Sequence, residues 1–250
     1  MKPEAKYNIE VCFSPALFNG IHDKKLHAVV ITDVLRATTT AITAFEYGVG
    51  GIIPVADLEE AQLYKQKGYL VAAERNGHIL DFADLGNSAF DFMVPEIKGK
   101  TIVHTTTNGT YAIKLVANCA HVVLGAFVNL HALSSFLLGL EEDVLILCTC
   151  WMTDFCLEDT LFAGALASEM IATNKYAPQG DSVRAAISLW DLSKNNLLES
   201  LKDATHLKRL QNLGLDNVFE YTFTIDACKS VPVLKNNILV NAFSEIPDHS

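Results

Sequence analysis

The run Ala28-Val29-Val30-Ile31-Thr32, followed at once by Asp33-Val34-Leu35-Arg36-Ala37-Thr38-Thr39-Thr40, decides how this chain folds. Five residues without a charge, three of them β-branched aliphatics, suit a strand buried on both faces, and the stretch after them predicts a helix over residues 36–47. Moving outward, the same alternation recurs from residue 28 to 175. Strands are predicted at 28–32, 52–56, 70–73, 101–104, 122–126 and 144–148, separated by helical patterns. That order implies an α/β fold, layered α/β/α around a largely parallel or mixed sheet.

The helices carry their own punctuation. Asp57-Leu58-Glu59-Glu60 reads as a capping box and Gly68 as the stop. Another helix begins near Asn108-Gly109, with Ala112, Ile113, Val116 and Ala117 on one face, and a third from about Leu157, where Leu161, Ala165 and Leu166 continue the stripe. Residues 182–213 read as two more helices with Lys202, Asp203, Lys208 and Arg209 on a solvated side, and 218–225 and 238–240 read as strands. The 250 residues suit a single catalytic unit, 1–250. If the chain has two lobes, the irregular stretch 76–100 divides them into 1–98 and 99–250, with the site between.

Charge narrows the partners. With 19 Lys plus Arg against 29 Asp plus Glu, the net charge of −10 argues against nucleic acid and anionic membranes, which attract basic surfaces. No apolar stretch of signal-peptide length occupies residues 1–10, so a cytoplasmic protein is expected. Half of the residues are apolar, which leaves room for a homo-oligomer through 132–140 or 195–213, although core burial explains both. The six cysteines, Cys12, Cys119, Cys148, Cys150, Cys156 and Cys228, lack the spacing of a disulfide framework. A soft-metal site at Cys148 and Cys150 needs two more ligands, and nearby sequence offers only Cys156.

In parallel sheets ligands bind beyond the carboxyl ends of strands, and here the polar residues collect at those ends. They include Asp33 and Arg36, then Glu74-Arg75, then Thr105-Thr106-Thr107-Asn108-Gly109-Thr110, then Glu158-Asp159. Such a ring of hard oxygens is what a magnesium ion requires. Asp33 follows an apolar run and must be paired, hydrogen-bonded or metal-bound to stay ionised, though helix capping also explains it. Arg36 either clamps an anionic oxygen or neutralises Asp33. The threonine-rich segment is a candidate phosphate cradle but no Walker loop, because no lysine follows the glycine as that motif requires. Asp84-Leu85-Gly86-Asn87-Ser88 either closes over a substrate or forms an Asx-type turn. Of the histidines, His104 lies beside the threonines, whereas His131 and His206 show no obvious partner.

Taken together, residues 33–40, Glu74-Arg75, residues 84–88, residues 105–110 and Leu157-Glu158-Asp159 with Ala163-Gly164 resemble the 2-phosphosulfolactate phosphatases. The resemblance runs in order from about residue 12 to 170, with a weaker echo at Asp226-Ala227-Cys228 and Val231-Pro232. It implies a magnesium-dependent phosphoric monoester hydrolase that converts 2-phospho-3-sulfolactate to sulfolactate and phosphate, a step of coenzyme M biosynthesis. Ala89 departs from the usual proline, and Trp151 and Met152 lie in a segment that is more glycine-rich in the family, so another phosphorylated acid could be preferred.

On this reading Asp33, Glu74, Asn108 and Glu158 are the catalytic candidates. Asp33, Glu158 and Asp159 are the candidate ligands of Mg2+. Arg36, Arg75, Asn87, Ser88, Thr106, Thr107, Gly109 and Thr110 hold the small anionic substrate. Attack comes from metal-oriented water or from Asp33 itself. A protein that binds a small phosphorylated or sulfonated anion without turnover is the alternative, and a structural domain with capped strand ends the third reading.

Overall fold

A computed structural model describes residues 5–18, 28–106, 109–149 and 154–243. In chain order the described elements begin with β1 (Tyr7–Cys12), β2 (Ala28–Thr32), α1 (Ala37–Glu46), β3 (Gly51–Pro54), α2 (Leu58–Gln66), β4 (Leu70–Arg75) and β5 (His78–Ile79). They continue with β6 (Thr101–Thr105), α3 (Gly109–Leu115), β7 (His121–Gly125), α4 (Leu130–Leu140), β8 (Val144–Cys148) and α5 (Leu157–Ala172). The last are β9 (Tyr176–Pro178), α6 (Asp181–Ser193), α7 (Leu197–Leu201), α8 (Thr205–Asn212), α9 (Phe219–Thr222), β10 (Pro232–Lys235) and β11 (Ile238–Asn241).

One mixed sheet carries these strands in the order β5-β4-β6-β3-β11-β10-β7-β2-β8-β1-β9. Two parallel blocks are visible in it. In one, β6 pairs with β3 and β4; in the other, β2 lies between β7 and β8, and β1 joins β8 to β9. The antiparallel hairpin β10–β11 joins them, touching β7 through Val233↔Val123 and β3 through Leu239↔Ile52. Because each step across the hairpin reverses direction, the two blocks run in opposite senses. The sheet also interleaves strands from both sides of residue 98, since β6 belongs to the first block and β2 to the second.

Strand alternation supplies both faces of the sheet. From β2, Ala28 and Val30 enter one core with Phe127, Leu133, Leu137, Phe162 and Trp190; Val29 and Ile31 enter the other with Phe45, Ile52, Phe92 and Ile102. The same split divides Val144 and Ile146 from Leu145 and Leu147 along β8. An uninterrupted apolar run therefore marks an interior strand buried on both faces of the sheet.

Local signals explain most boundaries. Asp57 accepts hydrogen bonds from the amides of Glu59 and Glu60 at 2.6 and 3.2 Å, and α2 stops before Gly68, which has a positive φ of 88°. Three helices rather than two fill 182–213, because the Asn196 side chain accepts from the Glu199 amide and starts α7. The strand expected at 218–225 is instead α9 and a loop. Val218, Phe219, Thr222 and Phe223 are all buried, a helical spacing that sets the two phenylalanines around Phe127 and its neighbours and overrides their β propensity.

Helices α5 and α6 approach so closely that a Cβ on Gly164 would lie 2.1 Å from the Ala186 carbonyl oxygen. Gly164→Ala is expected to destabilise the protein by about 1–3 kcal/mol or more through overpacking, since backbone cannot move aside as a side chain can. Urea unfolding of the two proteins measures the difference.

Candidate active site

The carboxyl ends of strands from both blocks meet in one cleft. It is lined by Asp33 after β2, Leu35, Arg36, Glu74 at the end of β4, Asn87, Thr106 after β6, and His206 and Arg209 from α8. The cleft opens to solvent.

Asp33 is buried at the mouth of β2, and its Oδ1 accepts from the Ala37 amide at 3.2 Å. Its backbone is clasped by Thr38, whose hydroxyl donates to the Asp33 carbonyl at 2.8 Å. The residue thus accepts from the first amide of α1, whose N-cap is Arg36, and lines the cleft at once. Burial raises the carboxyl pKa and the nearby Glu158 charge adds to the rise, against the lowering influence of His206 and the Ala37 amide. Gly109 lies beside it: a Cβ there would meet Ala37 Cβ at 3.0 Å, Thr106 Oγ1 at 3.2 Å and Asp33 Oδ2 at 3.6 Å. Thr106 and Thr110 bind each other, the Thr110 hydroxyl donating to the Thr106 carbonyl at 2.7 Å.

Arg36 turns to Glu74: its Nη2 donates to Glu74 Oε2 at 2.6 Å, and both side chains are largely buried. That ion pair joins the two parallel blocks across the cleft. Arg75 points elsewhere, its guanidinium donating to the Glu74 carbonyl at 2.8 Å and Thr105 Oγ1 at 2.9 Å. Asn87 lines the cleft, and its Oδ1 lies 3.2 Å from His104 Nε2. Ser88 caps the following turn instead, accepting from the Phe90 amide. Asp84 is likewise structural, holding the Val71 amide and Lys65. Ala89 begins the one-turn helix that Ser88 caps.

Glu158 and Asp159 open α5 and are buried, but neither lines the cleft itself. Asp159 Oδ1 accepts from the Val34 amide at 2.9 Å and so braces the residue after Asp33. Glu158 Oε1 lies 2.7 Å from His206 Nδ1, while its Oε2 is buried with no hydrogen-bond partner among the described residues. His206 and Arg209 line both the cleft and an adjoining hollow that also contains Cys156 and Glu158. Burial works against a charge on His206, but hydrogen bonds to Cys156 and Glu158 outweigh it and lift its pKa to about 9. The ring therefore carries its proton at neutral pH.

The structure corrects two sequence expectations here. His206 has a charged partner, and Arg209 lines the cleft rather than a solvated face. His131, also without an obvious partner in the sequence, contacts Asp226 and Glu169 on the surface. The spacing of His206 and Arg209, with Leu207 and Leu210 buried beside them, is the one signal that α8 flanks the core. Of the sequence candidates, Thr107, Asn108, Trp151 and Met152 lie outside the described residues, as does Cys150.

Comparison with known proteins adds an independent result. A family model described as 2-phosphosulpholactate phosphatase matches residues 13–237. The chain is 35% identical over 228 residues to a protein of Caldanaerobacter subterraneus subsp. tengcongensis named "Probable 2-phosphosulfolactate phosphatase", covering 89% of this chain and 94% of that one. Proteins of the same name from Thermotoga maritima and Carboxydothermus hydrogenoformans are 38% identical over 211 residues and 37% over 227 residues. Those alignments cover 84% and 90% of this chain and 90% and 92% of the relatives.

Two titrations test the electrostatics. In metal-free protein, the His206 ring signals in nuclear magnetic resonance spectra are expected to titrate near 9, and Glu158→Gln should lower that value by removing the carboxylate. Burial, with the charge of Arg75, depresses His104 to about 4 from an ordinary 6.5, so between these values the unfolded chain binds a proton that the native protein refuses. Stability gained from this residue therefore rises as pH increases from 4 to 6.5, by about 3 kcal/mol in all. His104→Asn should flatten that part of the stability profile; an unchanged slope would contradict the assignment.

Proposed function

This chain belongs to the 2-phosphosulfolactate phosphatase family, and we propose that it hydrolyses the phosphate monoester of a small 2-hydroxy acid, with 2-phosphosulfolactate as the leading substrate and sulfolactate and phosphate as products. The observation that carries this reading is the meeting of Asp33 with Arg36, Glu74, Thr106 and His206 in one solvent-open cleft. A cytoplasmic enzyme of coenzyme M biosynthesis is the corresponding cellular role.

The residues fit a divalent cation. Asp33 and Glu158 are buried carboxylates within each other's electrostatic reach, and one Glu158 oxygen has no hydrogen-bond partner among the described residues. Asp33 and Glu158 would hold magnesium, with Asp159 beside them bracing the Val34 amide. When bound, magnesium neutralises phosphoryl charge and makes coordinated water more acidic.

The protein supplies orientation and charge. Arg36, fixed by Glu74, and Arg209 face the cleft with cationic groups suited to the carboxylate or sulfonate end of the substrate. Thr106 offers a hydroxyl toward the phosphoryl group, and Asn108 is assigned the same task on its place in the sequence alone. A buried carboxyl with raised proton affinity suits Asp33 to receive a proton from attacking water, or to attack phosphorus directly.

Phosphate release should be screened over 2-phosphosulfolactate, 2-phospholactate, phosphoglycerates and generic esters, with and without magnesium. Release from a 2-phosphoacid that chelation abolishes and magnesium restores supports the reading. Saturable binding without turnover would make the chain an anion-binding protein instead. Asp33→Asn is expected to lower turnover by at least about a hundredfold, the lower range for losing a general base, with the thermal transition retained. Oxygen-isotope label entering the enzyme would identify Asp33 as nucleophile; label confined to phosphate would identify water.

A further inference from the structure

We propose that Cys156, Glu158 and His206 form a three-ligand site for a borderline-soft divalent cation of the zinc class. The thiol sulfur, a carboxylate oxygen and a ring nitrogen of these residues all lie within 4.8 Å of one another. Zinc bonds of about 2.0–2.3 Å close such a triangle with small side-chain rotations. Cys156 and Glu158 are buried, and His206 is largely so.

A second observation at the same point is Glu158 Oε2, a carboxylate oxygen with no hydrogen-bond partner among the described residues, in a residue only 1% exposed. Buried acceptors without partners are rare because desolvation goes uncompensated, and a coordinated ion removes that cost. Cys156, at the N-cap position of α5, is already a hydrogen-bond partner of His206, so sulfur and ring nitrogen face each other. The donor set then decides the ion. Thiolate and imidazole favour zinc over magnesium, which takes oxygen ligands and usually retains water.

Access comes from the hollow lined by Asp154, Phe155, Thr205 and Arg209, which leaves a side open for water as the fourth ligand. Binding releases the thiol proton and any proton on the ring nitrogen to solvent, so affinity falls as pH is lowered. The ion would tie α8 to the start of α5 and draw on Glu158, which the proposed hydrolase reading assigns to magnesium. The zinc-class site does not depend on that reading, because binding is measured without turnover.

Full-length protein stripped with chelator is titrated with cobalt(II) and, separately, zinc. The expected result is a thiolate-to-cobalt charge-transfer band saturating at one equivalent, undiminished by excess magnesium and abolished by Cys156→Ser. Zinc affinity in Cys156→Ser and His206→Gln should fall at least as far as the roughly tenfold to hundredfold loss seen on changing outer-shell partners. X-ray absorption on zinc-loaded wild type should find one sulfur among nitrogen and oxygen ligands, a result that needs no variant to fold. An all-nitrogen-and-oxygen shell, no cobalt band, or a band that survives Cys156→Ser would overturn the proposal. Phosphate release is no part of the readout, so failure of the hydrolase reading and failure of this site are separate results.

Discussion

The site depends on keeping acids charged in a place that discourages charge. Asp33 and Glu158 are both buried, and the charge of Glu158 makes that of Asp33 harder to sustain. His206 supplies the opposing charge, bound to Glu158 and lowering the proton affinity of Asp33. The imidazole comes from α8, 48 residues beyond its partner, so the helices after α5 are part of the electrostatic machinery. Their buried residues Leu197, Leu201, Leu207 and Leu210 fix that helix against the main core and hold the histidine in place.

A second ion pair does a related job across the cleft. Arg36 follows an interior strand of one parallel block and Glu74 lies at the end of a strand of the other. A buried pair of this kind adds little net stability against an apolar replacement, but loss of one partner strands the other charge. Its value here is geometric: it sets Arg36 at a defined point between two blocks whose strands run in opposite senses.

What could be read from the amino acids follows from how local each feature is. β2 and β8 match their predicted bounds because both are buried on two faces and contain uninterrupted apolar runs. β1 was not among the predicted strands, since Tyr7, Asn8 and Glu10 dilute its pattern, and the hairpin strand β10 was likewise unassigned. Asp33, Arg36, Glu74, Asn87 and Thr106 share the cleft because each lies at or after a strand end or in the turn beside one. The Glu158–His206 pair could not be found that way. No spacing rule links a helix start to a histidine three helices later, and α9 shows how aromatic residues can suggest strand until packing against Phe127 imposes helical spacing.

The position of β10 and β11 has a consequence for synthesis. Residues 232–241 bridge β7 and β3, although every other strand of the sheet has already left the ribosome by the time they emerge. Each block can pair its own parallel strands beforehand, but the seam between them closes only when this hairpin arrives. Such distant pairings slow folding, and until then β3 and β7 present open edges to neighbouring chains. Nascent protein lacking these residues is thus exposed to edge-to-edge association at the junction where the finished enzyme builds its cleft.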